Sequence, residues 1–381
     1  MRKTFILLIM AIFLNNGMAQ ETKNIVMPFS ISVDPMQRLL LVNLEKDPDT
    51  LYIGFEPQVF DDAVHGKGHL VIGWRADGRV DVFHERGLKL DPATYDIAGK
   101  GLAHMEEREM RAAFFDINGA GVQAHYVFDD IHNREVVIRI SESNSRKRKP
   151  FGLLAPMGDA AENPSAMPLV LLHDFYFVRK KHTEIEVSVD GRRHRMDNLP
   201  MPMDWARMTF IRYSPQPLIA KLNPAVEGEL PSLTAETGAE RIISGDHEYM
   251  LEWRNGTPYI KCIVRNNEIY PLELRFTDPF PDIASLAGKT SIKGGFEIEG
   301  HHSTGLISGH YTIEKDNDRV TVTMIPSGGW RPRPDKFSLR FMYTVAGVFK
   351  KWPTTYEWTA DIREKDDGLL HMKSGWKRNR K

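Results

Sequence analysis

The residue types that could carry acid–base chemistry are densest in the range Leu169–Pro215. His173 and Asp174 interrupt an almost wholly apolar run there, and Asp204 and Tyr213 follow in the same stretch. An imidazole exchanges a proton near neutral pH, and a neighbouring carboxylate can orient or charge the ring. We therefore take His173, Asp174, Asp204 and Tyr213 as candidate catalytic residues. Asp204 or His173 would be the base and Tyr213 the acid.

A purely structural role competes with this interpretation. Neighbouring residues on a strand point to opposite faces, so the side chains of His173 and Asp174 are not expected to touch. One of the two would then face the core and would need a polar partner there. The pattern leaves both a buried polar pair and an acid–base site open.

Two proline-containing segments carry side chains that could bind a ligand. Asn198–Trp205 and Pro326–Pro334 are expected to be rigid, irregular loops, because proline fixes φ and removes a backbone donor. Tryptophan rings can stack on apolar sugar faces, and arginine can bond to hydroxyls or carboxylates. Packing of the same rings in a core is the alternative. The candidate ligand-binding residues are Trp205, Arg207, Arg212, Trp330, Arg331, Trp352 and Tyr356.

Two histidine pairs raise the question of a metal site. His65 and His69 are four residues apart, but the glycines between them argue against a helix, and His301 is followed directly by His302. Neither pair has a cysteine or carboxylate at known ligand spacing. The chain also lacks a nucleophile elbow, an H-E-x-x-H motif and a phosphate-binding loop. The sequence therefore predicts no metal and no cofactor.

The elements that would hold these residues are predicted to be strands. Thr183–Val189 alternates apolar and polar residues, and Asp190-Gly191 after it favours a tight hairpin turn. Similar short runs, including Phe337–Val345, recur along the chain, whereas Leu102–Ala113 is the one stretch expected to form an amphipathic helix. The predicted fold class is all-β, with two tandem antiparallel β-sandwich or β-barrel domains and little helix.

A stretch rich in Pro, Gly, Glu and Thr divides the chain. Residues 223–240 contain few large apolar side chains and are predicted to be a linker. The expected organisation is a signal peptide at 1–19, an N-terminal β domain at 28–222, the linker at 223–240, a C-terminal β domain at 241–365 and a basic tail at 366–381.

The first residues are typical of a secretory signal peptide. Arg2 and Lys3 precede the uncharged apolar run Phe5–Leu14, and small residues follow up to Ala19. The apolar run is short for a membrane span, although an anchor is the alternative. We expect cleavage after Ala19 and a secreted or periplasmic protein without an integral membrane segment.

Composition limits the class of partner. Removing Arg2 and Lys3 lowers Lys+Arg from 50 to 48 against 51 Asp+Glu, which gives a formal net charge of −3. This balance argues against nucleic acid as a partner. The basic runs at 146–149 and 377–381 are local exceptions that could meet a polyanionic glycan or an anionic membrane. Cys262 is the single cysteine, so no intramolecular disulfide can form.

These patterns support three functions. The preferred one is a β-rich protein that binds a small apolar or sugar-containing (carbohydrate) ligand in a cleft near the domain interface. The first alternative is a hydrolase, lyase or isomerase that acts on a glycan or lipid with a His/Asp/Tyr acid–base set. The second alternative is a structural or assembly protein of the cell envelope. The sequence leaves the ligand, the presence of an enzymatic activity and the oligomeric state open.

Overall fold

Strands dominate the computed structural model, which describes residues 21–144, 149–155, 161–200, 202–203, 205–345, 352–365 and 368–379. Helix in these ranges is confined to α1 (Pro92–Tyr95), α2 (Phe337–Val345) and two 3-10 turns at Ile283–Ser285 and His302–Thr304. The predicted all-β class is therefore confirmed. The predicted signal peptide lies outside the described residues.

The strands are, in chain order, β1 (Thr22–Val26), β2 (Ile31–Asp34), β3 (Arg38–Asn43), β4 (Tyr52–Asp62), β5 (Gly66–Arg75), β6 (Val80–His84), β7 (Leu102–Glu107), β8 (Ala112–Asn118), β9 (Gly121–Asp129), β10 (Glu135–Glu142), β11 (Phe151–Ala155), β12 (Met167–Arg179), β13 (Thr183–Val189), β14 (Arg192–Arg193), β15 (Met208–Ser214), β16 (Leu218–Leu222), β17 (Glu227–Glu229), β18 (Ser232–Glu236), β19 (Arg241–Ser244), β20 (His247–Arg254), β21 (Thr257–Arg265), β22 (Leu272–Pro281), β23 (Thr290–Glu299), β24 (Leu306–Asp316), β25 (Arg319–Arg331), β26 (Tyr356–Glu364) and β27 (Leu370–Arg378).

The N-terminal half forms two sheets that enclose a core of their own. The larger sheet has the order β2-β16-β12-β15-β3-β4-β5-β6-β7, with β11 paired to β12 beside this path. The smaller sheet has the order β14-β13-β10-β9-β8. Apolar residues of both, among them Tyr52, Phe83, Tyr126 and Phe128, form one buried cluster, which we call the second core.

The C-terminal half is a ten-stranded antiparallel meander. Its order is β17-β27-β26-β25-β24-β23-β22-β21-β20-β19, so nearly every strand pairs with its neighbour in sequence. One face of this sheet packs against the larger N-terminal sheet. Phe29, just before β2, lies 5.3 Å from Phe276, 4.9 Å from Phe280 and 5.4 Å from Trp358 between ring centroids. The halves thus share a first core, and two separate tandem domains are not confirmed.

The predicted linker and tail contribute strands to this arrangement. Within residues 223–240, β17 pairs with β27, and β18 pairs with β1 near the start of the described chain. Residues 370–378 of the expected tail form β27, where Trp376 is buried. The polar composition of these segments is compatible with strands because each lies at or near a sheet edge.

The helix predicted at Leu102–Ala113 does not form. Residues 102–107 form β7, which pairs in parallel with β6, and β8 begins at Ala112. The apolar spacing fitted a helix, but pairing with β6 satisfies the backbone of this segment within the sheet.

The strand predicted at Phe337–Val345 is the helix α2. Leu339 and Tyr343 are buried, whereas Phe337 and Phe341 are exposed. A spacing of four residues repeats on one face of a strand and also on one face of a helix, so the pattern could not separate the two.

Candidate functional site

A β-bulge places His173 and Asp174 next to each other. Between Leu172 and Phe175, these two residues of β12 face only Gly152 of β11. A bulge breaks the alternation of side chains and can redirect them. The distance from His173 Nδ1 to Asp174 Oδ1 is therefore only 4.0 Å, and the expectation that the two side chains would point apart is wrong.

The other edge of β12 is interrupted at the same level. β15 ends at Ser214 and β16 begins at Leu218, and both strands pair with β12. Pro215 and Pro217 lie between them, and proline has no backbone N–H for a ladder. The Ser214 hydroxyl donates instead to Asp174 Oδ1 at 2.8 Å. The backbone beside β12 is thus irregular at both edges at this level, and the Asp174 carboxyl is bonded by the side chain of Ser214.

A loop of the C-terminal sheet, residues 300–305, reaches this bulge. A Cβ atom at Gly152 would lie 1.9 Å from the carbonyl oxygen of Ser303, so only glycine permits the approach. The Ser303 hydroxyl oxygen lies 3.5 Å from the carbonyl oxygen of His173 and 2.7 Å from His301 Nδ1. The indole N–H of Trp330 donates to the carbonyl oxygen of Thr304 at 2.8 Å. These contacts fix the loop against the larger N-terminal sheet.

Three aromatic rings meet beside the bulge. The ring of His173 lies 5.1 Å from Tyr270 and 5.1 Å from His301, and Tyr270 lies 5.6 Å from His301, all between centroids. The Asn267 side chain accepts hydrogen bonds from the Ile269 and Tyr270 backbone N–H groups at 2.9 and 3.1 Å, which shapes the turn that carries Tyr270. We call His173, Asp174, Tyr270 and His301 the bulge cluster.

Burial shifts the proton affinities within the bulge cluster. Burial raises the pKa of Asp174, opposed by the hydrogen bond from Ser214 and by the charge of His173. Burial and the charge of His173 lower the pKa of His301. Burial and the Asp174 charge raise the pKa of the Tyr270 phenol, which therefore stays protonated at neutral pH. The cluster thus combines a carboxyl with a raised pKa, that of Asp174, and an imidazole with a lowered pKa, that of His301.

The hydrogen bonds of the two histidines differ. The Ser303 backbone N–H donates to His301 Nδ1 at 3.2 Å. Because an amide can only donate, the neutral His301 ring carries its proton on Nε2. His173 Nδ1 is buried and has no hydrogen-bond partner among the described residues. The cluster therefore presents a donor at His301 and an unsatisfied ring nitrogen at His173.

A cleft of about 430 Å³ has walls from both ten-stranded sheets, and its lining includes sequence neighbours of the bulge cluster but none of the four cluster residues. Ile269 lines the cleft and precedes Tyr270, and Pro217 lines it next to Gln216, whose backbone N–H is bonded to Asp174. The acidic residues of the cleft are Asp34, Asp61, Asp62, Asp246 and Glu268.

The predicted catalytic residues are divided between two places. His173 and Asp174 belong to the bulge cluster, with side chains 16% and 17% exposed. Tyr213 is fully buried in the second core, where its ring stacks on Tyr176 at 5.3 Å. Asp204 lies outside the described residues. The phenol next to His173 is that of Tyr270.

The predicted aromatic binding residues are mostly core residues. Trp330, Trp352 and Tyr356 are 5%, 1% and 1% exposed. The exposed loop expected at Pro326–Pro334 is wrong in its first half, because β25 continues through Arg331 and buries Trp330. Trp205, at 92% exposed, is the only ring of the predicted set that faces solvent. The side chains of Arg207 and Arg331 are exposed as well.

Arg212 lies at a different pocket, of about 220 Å³, together with Trp74 and Asn43. Near it, the buried Glu56 carboxylate accepts hydrogen bonds from Trp74 Nε1 at 3.0 Å and Gln58 Nε2 at 2.8 Å. Burial raises the pKa of Glu56 to about 7 and lowers that of Arg212 to about 10. This pocket does not include residues of the bulge cluster.

Sequence reasoning missed the partners that come from distant segments. Tyr270, Ser303 and Ser214 carry no motif, although the prolines at 215 and 217 signalled an interrupted ladder. In the sequence, His301 stands out only as half of a histidine pair that could bind a metal. Among the residues that the structure describes, no group of three or more His, Cys, Asp or Glu could hold a metal ion. No helix in the same residues is both long and apolar enough to cross a bilayer.

Similarity to other proteins adds no assignment to this geometry. Comparisons with protein families, with curated proteins and with solved structures gave no match. A function is therefore inferred from the bulge cluster and from the cleft between the two ten-stranded sheets.

Proposed function

We propose that the protein binds a small, sugar-containing ligand in the cleft between its two ten-stranded sheets and moves a proton on that ligand with the bulge cluster. The observation that carries this proposal is the convergence of His173, Asp174, Tyr270 and His301 from three separate segments. Packing alone does not require two histidines and a carboxyl at one bulge, since each must be partly desolvated.

The chemistry we propose uses the groups in complementary roles. The Asp174 carboxylate takes a proton from the ligand, and the Nε2–H of His301 donates a hydrogen bond to the oxygen that gains negative charge. The proton held by Asp174 is then returned to another atom of the same ligand. The proton balance closes within the ligand and Asp174, as in an isomerase.

The lining of the cleft favours a neutral, hydroxyl-rich ligand. Its carboxylates accept hydrogen bonds from hydroxyl groups and repel polyanions. Apolar residues such as Val33, Leu218 and Ile269 can contact the less polar faces of a sugar ring.

Two further parts of the proposal concern organisation and compartment. We propose that the two halves are tandem β domains that have merged along the first core. We also propose export with cleavage after Ala19. Mass spectrometry of the protein recovered from outside the cytoplasm tests the cleavage, since a retained N-terminus would contradict it.

The functional test combines a binding screen with solvent exchange. Thermal-shift screening against neutral oligosaccharides should find ligands that raise the melting temperature, because they bind the folded state alone. In D2O, NMR should then show deuterium entering such a ligand. Asp174→Asn and His301→Gln should retain binding and lose exchange by about 100-fold or more.

A matched control is Asp316→Asn, which removes an exposed carboxylate in a distant turn. It should leave both binding and exchange unchanged. Full exchange in Asp174→Asn, or no binding by any neutral oligosaccharide, would refute the proposal.

Ligand binding without catalysis is the second candidate. The volume of the cleft favours it, because about 430 Å³ exceeds what a few waters need. It predicts ligands that raise the melting temperature and show no deuterium exchange in the wild-type protein.

A further inference from the structure

Trp205 is the most exposed large apolar side chain among the described residues. It is 92% exposed and has a φ of +62°, a backbone conformation rare for a bulky residue. The backbones of Met203 and Ala206 bond to each other at 3.0 and 2.9 Å, which holds Trp205 near the tip of a tight turn. The ring is thus exposed to solvent at this turn.

Helix α2 exposes two more aromatic rings on one face. Phe337 is 81% exposed and Phe341 is 49% exposed, and Arg340 and Thr344 are exposed beside them. These positions follow the i, i+3, i+4, i+7 spacing of one helix face.

The opposite face of α2 is anchored. Leu339 is buried, and the Tyr343 hydroxyl donates to the carbonyl oxygen of Gly152 at 2.7 Å. The Tyr343 ring also lies 5.2 Å from that of Trp330. Because this face is packed, α2 is held in place on the protein. Phe337 and Phe341 are nevertheless exposed on its outer face.

Lys149 connects the turn and the helix. It lines a small cavity together with Met203, and its carbonyl oxygen accepts a hydrogen bond from Lys336 Nζ at 3.4 Å. These contacts link the segments that carry the exposed side chains of Trp205, Arg207, Lys149, Phe337, Arg340 and Phe341, and we call these six side chains together the aromatic–basic surface.

Basic residues outnumber acidic ones in the segment that carries α2, although the whole chain is nearly neutral. Between residues 330 and 345 the sequence has four basic residues and one acidic residue, Asp335. Lys149 ends the basic run 146–149, whose first three residues lie outside the described ranges. Exposed aromatic rings surrounded by lysine and arginine match the interface of an anionic bilayer, where rings insert and cations pair with headgroups.

We propose that the aromatic–basic surface docks on an anionic lipid bilayer. The three rings enter the interfacial region, while Arg207, Arg340 and Lys149 contact lipid phosphates. This association is independent of the bulge cluster, since it uses none of that cluster's side chains.

Vesicle co-sedimentation tests the docking directly. The chain starting at Gln20 should bind vesicles of phosphatidylcholine with 30% phosphatidylglycerol at least tenfold more tightly than vesicles of pure phosphatidylcholine. A tenfold difference in affinity is about what the attraction of a few basic side chains to anionic lipid supplies. The full-length chain is measured in parallel. Binding should weaken as salt rises, because the lipid charge is screened.

Two variants separate the aromatic and the basic contributions. The triple variant Trp205→Ser, Phe337→Ser, Phe341→Ser should lose at least tenfold in affinity for the anionic vesicles. Arg207→Glu with Arg340→Glu should abolish the preference for phosphatidylglycerol. All these side chains are exposed, so near-native melting temperatures are expected and serve as a check on folding.

Phe114→Ser is the matched control. Phe114 is 54% exposed on β8, at the edge of the five-stranded sheet, and its replacement should leave vesicle binding unchanged. Asp174→Asn should also bind vesicles normally, so a failed catalytic proposal and a failed docking proposal remain distinguishable.

Three outcomes would overturn the docking proposal. The first is equal binding to both kinds of vesicle. The second is unchanged binding by the triple variant. The third is an absence of vesicle binding together with either heparin binding or a concentration-dependent dimer, if the triple variant abolishes it. Heparin binding would assign the surface to a polyanionic glycan, and the dimer would assign it to a second copy of the chain.

Discussion

Two carboxyl groups with raised pKa values occupy different surroundings in this molecule. Glu56 is fully buried and accepts hydrogen bonds from Trp74 and Gln58. The side chain of Asp174 is 17% exposed and lies 4.0 Å from a histidine nitrogen that has no described hydrogen-bond partner. Burial raises the pKa of both groups, so a raised pKa alone does not mark a functional site. The partial exposure of its side chain and the histidine beside it distinguish Asp174 from Glu56.

The largest effect should follow from adding a side-chain atom at Gly152, where the two sheets are in close contact at the bulge. Gly152→Ala places a methyl group about where the Ser303 carbonyl oxygen lies, so the 300–305 loop must move. We expect a loss of about 2–4 kcal/mol in the free energy of unfolding. Urea denaturation measures this loss.

Gly375→Ala is the control for that substitution, because nothing lies within 4 Å of a Cβ atom there. It should change the free energy of unfolding by less than about 1 kcal/mol. Equal effects of the two variants would show that the close contact at Gly152 is not made.

The second effect concerns Glu56 and depends on pH. Its pKa rises from 4.5 to about 7 on folding. The unfolded chain therefore releases this proton at lower pH than the folded chain, and the stability due to Glu56 falls as pH rises from about 4.5 to about 7. The shift corresponds to roughly 3 kcal/mol across that window.

Glu56→Gln should remove this contribution and raise stability above pH 7 relative to the wild type. The Gln58 amide can flip to accept from the new amide, since Gln58 Oε1 has no described partner. Chemical denaturation between pH 4 and pH 8 measures both curves. Parallel curves would mean that the Glu56 carboxyl is not desolvated.

A smaller effect is expected on the pKa of Asp174 when its hydrogen bond from Ser214 is removed. Ser214→Ala removes a hydrogen bond to the carboxylate, so the pKa of Asp174 should rise further, by about one unit or less. NMR titration of the carboxyl carbon measures it. A fall in that pKa would contradict the assigned role of Ser214.

A further effect concerns the hydrogen bond that holds the 300–305 loop. Trp330→Phe removes the hydrogen bond to the Thr304 carbonyl oxygen and should cost about 1–2 kcal/mol. Hydrogen exchange should accelerate at the amides of His302–Gly305 more than in β24. Unchanged protection of that loop would show that Trp330 only fills space.

Local patterns predicted the regular parts of the fold. β13 has the predicted bounds Thr183–Val189, and the turn after it has φ values of +52° at Asp190 and +74° at Gly191. Alternation and turn chemistry act between near neighbours, so one sequence contains enough information for them.

The site could not be predicted in the same way. The bulge at His173 depends on how β11 and β12 pair, and Tyr270 and His301 come from a turn and a loop about a hundred residues or more further along the chain. Trp330 looked exposed because its neighbours include glycine and proline, yet β25 buries it against distant residues. Long-range pairing therefore decides which polar residues meet.

Deuterium incorporation into a bound neutral oligosaccharide tests the difference between the two carboxyls most directly. We predict exchange in the wild type and in Glu56→Gln, and a loss of about 100-fold or more in Asp174→Asn with binding retained. Exchange that persists in Asp174→Asn, or that Glu56→Gln abolishes instead, would contradict the assignment of acid–base chemistry to the bulge cluster.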